Sequence, residues 1–196
     1  MAPLRLVCVF VAVLALDAAA AHADAATEAA GSAAVTYFRG ELTQGFAWTG
    51  VGLASVGAGV VLVTRDGDVE RGAAYPAFGF GAIQLIAGVV SFVSPPLRAT
   101  RAAAAIARGH GRELLADERK RIRRVNLGFR VLEITELALV VGGGATAAIA
   151  YRGDHPTVTG VALGLAVEGA AMFVLDWFAH RRAVRYQHAL EQVAWR

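Results

Sequence analysis

The chain has 196 residues, 56% of them hydrophobic and only 18% charged, with a mean hydropathy of +0.50. It is too apolar for an ordinary soluble domain. The net charge is +3 and the single cysteine is Cys8, which excludes a disulfide framework and any CxxC metal or redox motif.

Aromatic residues make up 8% and glycines number 22, so the hydrophobicity comes from Ala, Val, Leu and Gly, the vocabulary of membrane helices. Taken in chain order, Leu4 to Leu16 form a short apolar run after Arg5, and small residues follow as far as Ala21-His22-Ala23 ahead of Asp24. The run is too short to span a bilayer, which takes about 20 residues, and residues 1–23 read as a cleavable signal peptide. Residues 24–196 are then one transmembrane domain.

Four segments are long enough to cross a membrane: 45–64, 74–94, 131–151 and 157–178. The first pair is joined by the polar stretch Arg65 to Arg71 and the second by Arg152 to Pro156, so each pair should be an antiparallel hairpin. The expected fold is all-α, an integral membrane four-helix bundle built from two transmembrane helical hairpins. Sliding the chain by 84 positions puts Gln84 on Glu168, Ala87 on Ala171, Val90 on Val174, Arg98 on Arg182 and Arg101 on Arg185. The hairpins therefore read as a duplicated unit, and an even number of spans per copy makes the repeat parallel.

Between the hairpins, Pro95-Pro96 precedes an amphipathic basic helical segment, 97–130, with ten Lys or Arg against Glu113, Asp117 and Glu118. Leu115, Ile122, Val125 and Phe129 recur at helical spacing, Asp117 and Arg121 stand at i,i+4, and Gly109-His110-Gly111 should break the segment in two. It should lie along the membrane surface or continue into the third span. The tail repeats this character with Arg181, Arg182, Arg185 and Arg196. Counting Arg39, one side of the membrane carries fifteen Lys or Arg, and the other has Arg65, Arg71 and Arg152. The positive-inside rule places the rich side in the cytoplasm, whereas a cleaved signal peptide places it outside. The sidedness stays open between these two signals.

Inside the spans, Gly81, Gln84, Gly88 and Ser91 form one stripe of small and polar residues, as do Gly160, Gly164, Glu168 and Ala171, while Gly52, Ser55 and Gly59 offer a third. Such stripes face neighbouring helices. A carboxylate near mid-span costs on the order of 3 kcal/mol on insertion scales, so Glu168, and Glu136 one turn inside the third span, require a proton or a partner. Gln84, Glu136 and Glu168 should converge, either to bind a proton, a cation or a cationic solute or to fix helix register. Glu133, Asp176 and His180 form a second cluster at the basic interface. Their chemistry suits a metal, but salt bridges to Arg130, Arg181 and Arg182 explain them more simply, and neither metal nor cofactor is expected. Trp177, Phe178 and Trp195 fit an aromatic belt, and Gly142-Gly143-Gly144 lies within a span as a close-packing site.

The sequence has no Walker loop, no G-x-S-x-G elbow, no HExxH and no Ser/His/Asp constellation, so a non-enzymatic protein is expected. The basic segments lack interleaved aromatics, which points to anionic lipid headgroups, a protein partner or a homo-oligomer, and away from nucleic acid. One Lys among nineteen cations reflects a GC-rich genome, and the expected location is a bacterial cytoplasmic membrane, crossed several times. The primary expectation is action through helix packing and the basic surface. The alternative is a small proton- or cation-coupled transporter using Glu168 and Glu136.

Overall fold

The structure is a computed structural model and describes residues 25–192. The expected signal peptide at 1–23, Cys8 and Trp195 lie outside the described residues. Four helices, α1 (Ala25–Val63), α2 (Asp68–Ala107), α3 (Gly111–Arg152) and α4 (Pro156–Gln192), make up the fold, and no strand occurs among the described residues. All four are long and apolar enough to cross a membrane. The large exposed side chains agree: Leu53, Ile86, Ile134, Ile149, Val167 and Phe178 are each at least 60% exposed, which water would not tolerate at this density but lipid does.

Each helix extends beyond its expected span, because the polar flanks are helical too. The segment 97–130 is therefore not a separate surface element; its halves are the end of α2 and the start of α3. α2 continues without interruption through Pro95 and Pro96, although the two rings remove the amide donors that would bond the carbonyls of Ser91 and Phe92. The break at Gly109 falls where the sequence places it. Gly109 has φ +77°, and the His110 amide donates to the Ala105 carbonyl at 2.9 Å, closing the helix end with a glycine in the left-handed region.

The turn between α3 and α4 uses the same device without glycine. Asp154 takes φ +52°, His155 donates to the Ala150 carbonyl at 2.9 Å, and Pro156 opens α4 with its φ already set for a helix. The turn between α1 and α2 is shorter than the sequence suggests, because Asp68 and Glu70 already belong to the first turn of α2, where their charge complements the helix dipole.

The chain divides into two compact units. One comprises Gln44–Val89 and Phe129–Phe178 and contains the apolar middles of the helices. Its close approaches occur at glycines. A methyl group at Gly52 would fall 2.9 Å from the Gly81 carbonyl oxygen and the Leu85 nitrogen; at Gly59 it would meet the Phe78 ring, and at Gly143 the Ala162 carbonyl oxygen at 2.7 Å. Gly169 sits against Leu139 and the Glu136 carbonyl, while Gly72 and Gly160 bring the backbones of α2 and α4 together at Thr157 and Val69. In the triple glycine only Gly143 makes such a contact, since Gly142 and Gly144 face open space.

These contacts recur at the offset of 84. Gly52 with Leu85 becomes Glu136 with Gly169, and Gly59 with Phe78 becomes Gly143 with Ala162.

The other unit includes residues 25–43, 90–128 and 179–192. Its core is Tyr37, Phe38, Leu115, Ile122, Ala183, Tyr186 and Leu190, all buried. Val125 and Phe129 are only half-buried, so the expected amphipathic face is narrower than its spacing implies. Arg119 anchors the end of α4 by donating from Nε and Nη2 to the Leu190 carbonyl at 3.0 and 2.6 Å.

Candidate functional site

In the apolar unit three helices converge on one carboxyl group. Glu168 of α4 is buried near the middle of its span, and its Oε2 accepts hydrogen bonds from Gln84 Nε2 of α2 at 2.8 Å and from Ser55 Oγ of α1 at 3.1 Å. Ser55 and Gln84 each lie near the midpoint of their own spans, and Gln84 is wholly buried. The small residues beside them make the meeting possible. Gly52 and Gly81 bring α1 against α2, and Gly164 against Pro76 and the Ala73 carbonyl brings α4 against α2. The acceptor of the same amide, Gln84 Oε1, is buried with no partner.

Glu136 does not join this group, contrary to the expectation that Gln84, Glu136 and Glu168 converge. A helical side chain leans toward the N-terminus of its own helix. On α3 that direction takes Glu136 away from Glu168 and along α4 until its carboxyl group lies beside that of Asp176. Both residues are buried, Glu136 at 2% and Asp176 at 4% exposure, and no donor from a third residue reaches either oxygen of Glu136. Two carboxyl groups can bond to each other only through a proton held between them. Glu133 is half-buried and close enough to repel both electrostatically. Thr135, a sequence candidate for a carboxyl partner, instead bonds the Val131 carbonyl of its own helix at 2.9 Å.

The interfacial cluster is divided differently from the sequence expectation. Asp176 belongs with Glu136, while His180 is half-buried in the other unit. Among the described residues no three His, Cys, Asp or Glu side chains come together as metal ligands. Trp177 and Phe178 meet edge to face with centroids 5.0 Å apart.

The basic unit holds a polar core that the sequence did not reveal. Tyr37 of α1 stacks on Tyr186 of α4 with ring centroids 4.4 Å apart and planes at 14°, and the Arg121 guanidinium lies 5.7 Å from the Tyr37 centroid. Arg121 donates to both oxygens of Glu118, its i,i+3 neighbour, and the Tyr186 hydroxyl donates to Glu118 Oε1 at 3.1 Å. The pairing of Arg121 with Asp117 is thus replaced by one with Glu118, because Asp117 points to solvent.

Across the same core Arg98 Nη1 donates to Glu41 Oε1 at 3.4 Å, and the Arg182 side chain passes over α1 where Gly40 leaves room for it. Burial pushes the Tyr37 and Tyr186 hydroxyls far above their ordinary range, and it also raises Glu41 against the pull of Arg98, the Tyr37 hydrogen bond, Arg121 and Arg182. Burial lowers Arg182; for Arg121 the same effect is outweighed by Glu118. Of this core, the sequence singled out Arg98 and Arg182 through the repeat offset and Arg121 through its spacing from Asp117, while Tyr37, Glu41 and Tyr186 carried no signal.

No protein-family model matches the chain, and no curated protein or solved structure is similar to it.

Proposed function

We propose that this is a non-enzymatic multi-pass protein of a bacterial cytoplasmic membrane, a four-helix bundle of two duplicated hairpins whose interior takes up a proton or a small cation, as a small ion-coupled carrier does. The observation that carries this reading is the set of three buried carboxyl groups, Glu136, Glu168 and Asp176, none of which meets a Lys or Arg among the described residues. Packing alone has no use for three such groups at on the order of 3 kcal/mol each on insertion scales, and ionisable residues facing a bundle interior mark ion pathways. In vesicles enclosing a pH-sensitive dye, the wild type should dissipate an imposed proton or cation gradient. Glu168→Gln and Glu136→Gln should slow the decay about tenfold or more, since each removes a titratable group from the path. Equal decay in the wild type and both variants overturns the reading.

A second reading rests on the surface of the basic unit. Arg101, Arg108, Arg112, Lys120, Arg123, Arg124, Arg181 and Arg185 are exposed there, against exposed Glu113, Asp117 and Glu191. This surface suits anionic lipid headgroups or an acidic protein partner. Purification with retained anionic lipid, lost in Arg123→Glu/Arg124→Glu, supports it. Reporter fusions after Arg196 determine which leaflet that surface faces.

A further inference from the structure

The contact between Gln84 and Glu168 joins residues 84 positions apart, the same offset that relates the two halves of the chain. A residue touches its own counterpart in the other copy only on the axis relating the copies. The constellation of Ser55, Gln84 and Glu168 therefore sits at the repeat interface and near mid-span, where carriers built from repeats hold their substrate or coupling ion. The copies have diverged at that point, with a neutral amide in one and a carboxyl group in the other.

Two further observations concern what belongs there. The partners of Glu168 are Ser55 and Gln84, both neutral donors, and both bond to the same oxygen. Among the described residues Glu168 makes no ion pair. Beside it, the wholly buried Gln84 presents Oε1 with no donor, an orphan acceptor of the kind that native interiors rarely leave unmatched. The free acceptors are oxygens only, from a carboxylate, a carboxamide and a hydroxyl. Oxygen donors select hard cations, and a single negative charge balances a single positive one. We propose that Ser55, Gln84 and Glu168 form a binding site for an alkali-metal cation, with Gln84 Oε1 and the Glu168 carboxylate as ligands. The proposal rests on the carrier reading and names its ion.

The test is cation-specific stabilisation of the purified full chain in detergent, melted in sodium, potassium or choline chloride at equal ionic strength and fixed pH. Sodium or potassium should raise the midpoint over choline by roughly 3 °C or more. Gln84→Leu, which removes the amide oxygen, and Glu168→Gln, which keeps the shape and removes the charge, should abolish the rise, whereas Glu136→Gln should retain it. A direct measurement of sodium binding to the wild type by sodium-23 line broadening does not depend on whether the variants fold. Identical melting in all three salts, or a rise that persists in Glu168→Gln, overturns the site. Proton flux in vesicles with no alkali-cation effect removes this inference and leaves the carrier reading standing. Sodium binding with no flux does the reverse.

Discussion

Gln84 donates a 2.8 Å hydrogen bond to Glu168 across the α2–α4 interface, with both residues buried and separated by the same 84 positions at which the glycine contacts recur. The pairing is reciprocal in chemistry, since an amide and a carboxyl group exchange roles when their positions are exchanged. The swap Gln84→Glu/Glu168→Gln should therefore preserve both contacts, with the amide nitrogen now on α4, in the place of Glu168 Oε2, donating one proton to the carboxyl group now on α2 and the other to the Ser55 hydroxyl oxygen. Gln84→Glu alone places two carboxyl groups together and should cost about 1–3 kcal/mol. Thermal melting of the two single variants and the double variant measures the coupling. A double variant no more stable than Gln84→Glu would show that the pair is not interchangeable.

The glycines make a sharper packing prediction, because neighbouring positions differ in what a methyl group would meet. At Gly160 it would run into the Val69 carbonyl and at Gly72 into the Thr157 carbonyl, both rigid backbone. At Gly57 and Gly142 it would meet nothing within 4 Å. Gly72→Ala and Gly160→Ala should each destabilise by about 1–3 kcal/mol through forced separation of α2 and α4. Gly57→Ala and Gly142→Ala should be neutral or slightly stabilising, since Ala favours the helix by about 1 kcal/mol. Detergent melts of the four variants check the contrast, and similar midpoints for all four would contradict this packing.

Much of this is legible in the sequence because hydropathy and side-chain period act locally. The four helices, the break at Gly109 and the stripes through Gln84 and Glu168 follow from composition and spacing, and the offset of 84 pairs those two residues without any coordinates. The helices outrun their expected spans because hydropathy marks where a helix meets lipid and not where it stops. Glu136 departs from its expected partners because spacing gives only the face of a side chain, and the lean of Glu136 toward the N-terminus of α3 carries it along α4 to Asp176 and not to Glu168. The core formed by Tyr37, Glu41, Glu118 and Arg121 is hidden in the sequence for another reason: it joins a pair of residues from α1 to a pair from α3, and spacing within one helix does not show which pairs of different helices meet.

The pairing of Glu136 with Asp176 separates two kinds of loss. Asp176→Asn keeps a polar group that can donate permanently to the Glu136 carboxylate, so the contact survives without a shared proton. Asp176→Leu removes any donor and leaves Glu136 buried and alone, with no donor from a third residue on either oxygen. The leucine variant should lose about 1–3 kcal/mol relative to the asparagine variant. Melting both at one pH measures the difference, and a leucine variant as stable as the asparagine one would mean that the carboxyl pair contributes nothing to the fold.

Glu41 gives the basic unit an unusual pH dependence. Its carboxyl is raised above the ordinary value of 4.5 by burial, which outweighs Arg98, the Tyr37 hydrogen bond, Arg121 and Arg182, the charged and titratable groups that act on it from α1, α2, α3 and α4. Above pH 4.5 the unfolded chain has released this proton while the folded chain still holds it. The folded state then binds more protons, and stability must fall as pH rises through that window, the reverse of an ordinary salt-bridged carboxylate. Glu41→Gln removes the titration, so the wild type should lose stability relative to the variant as pH is raised from about 5 toward neutrality. Because every other group is common to the two proteins, the difference between their melting midpoints across that range isolates Glu41. Parallel profiles would mean that its carboxyl titrates alike in the folded and unfolded chains.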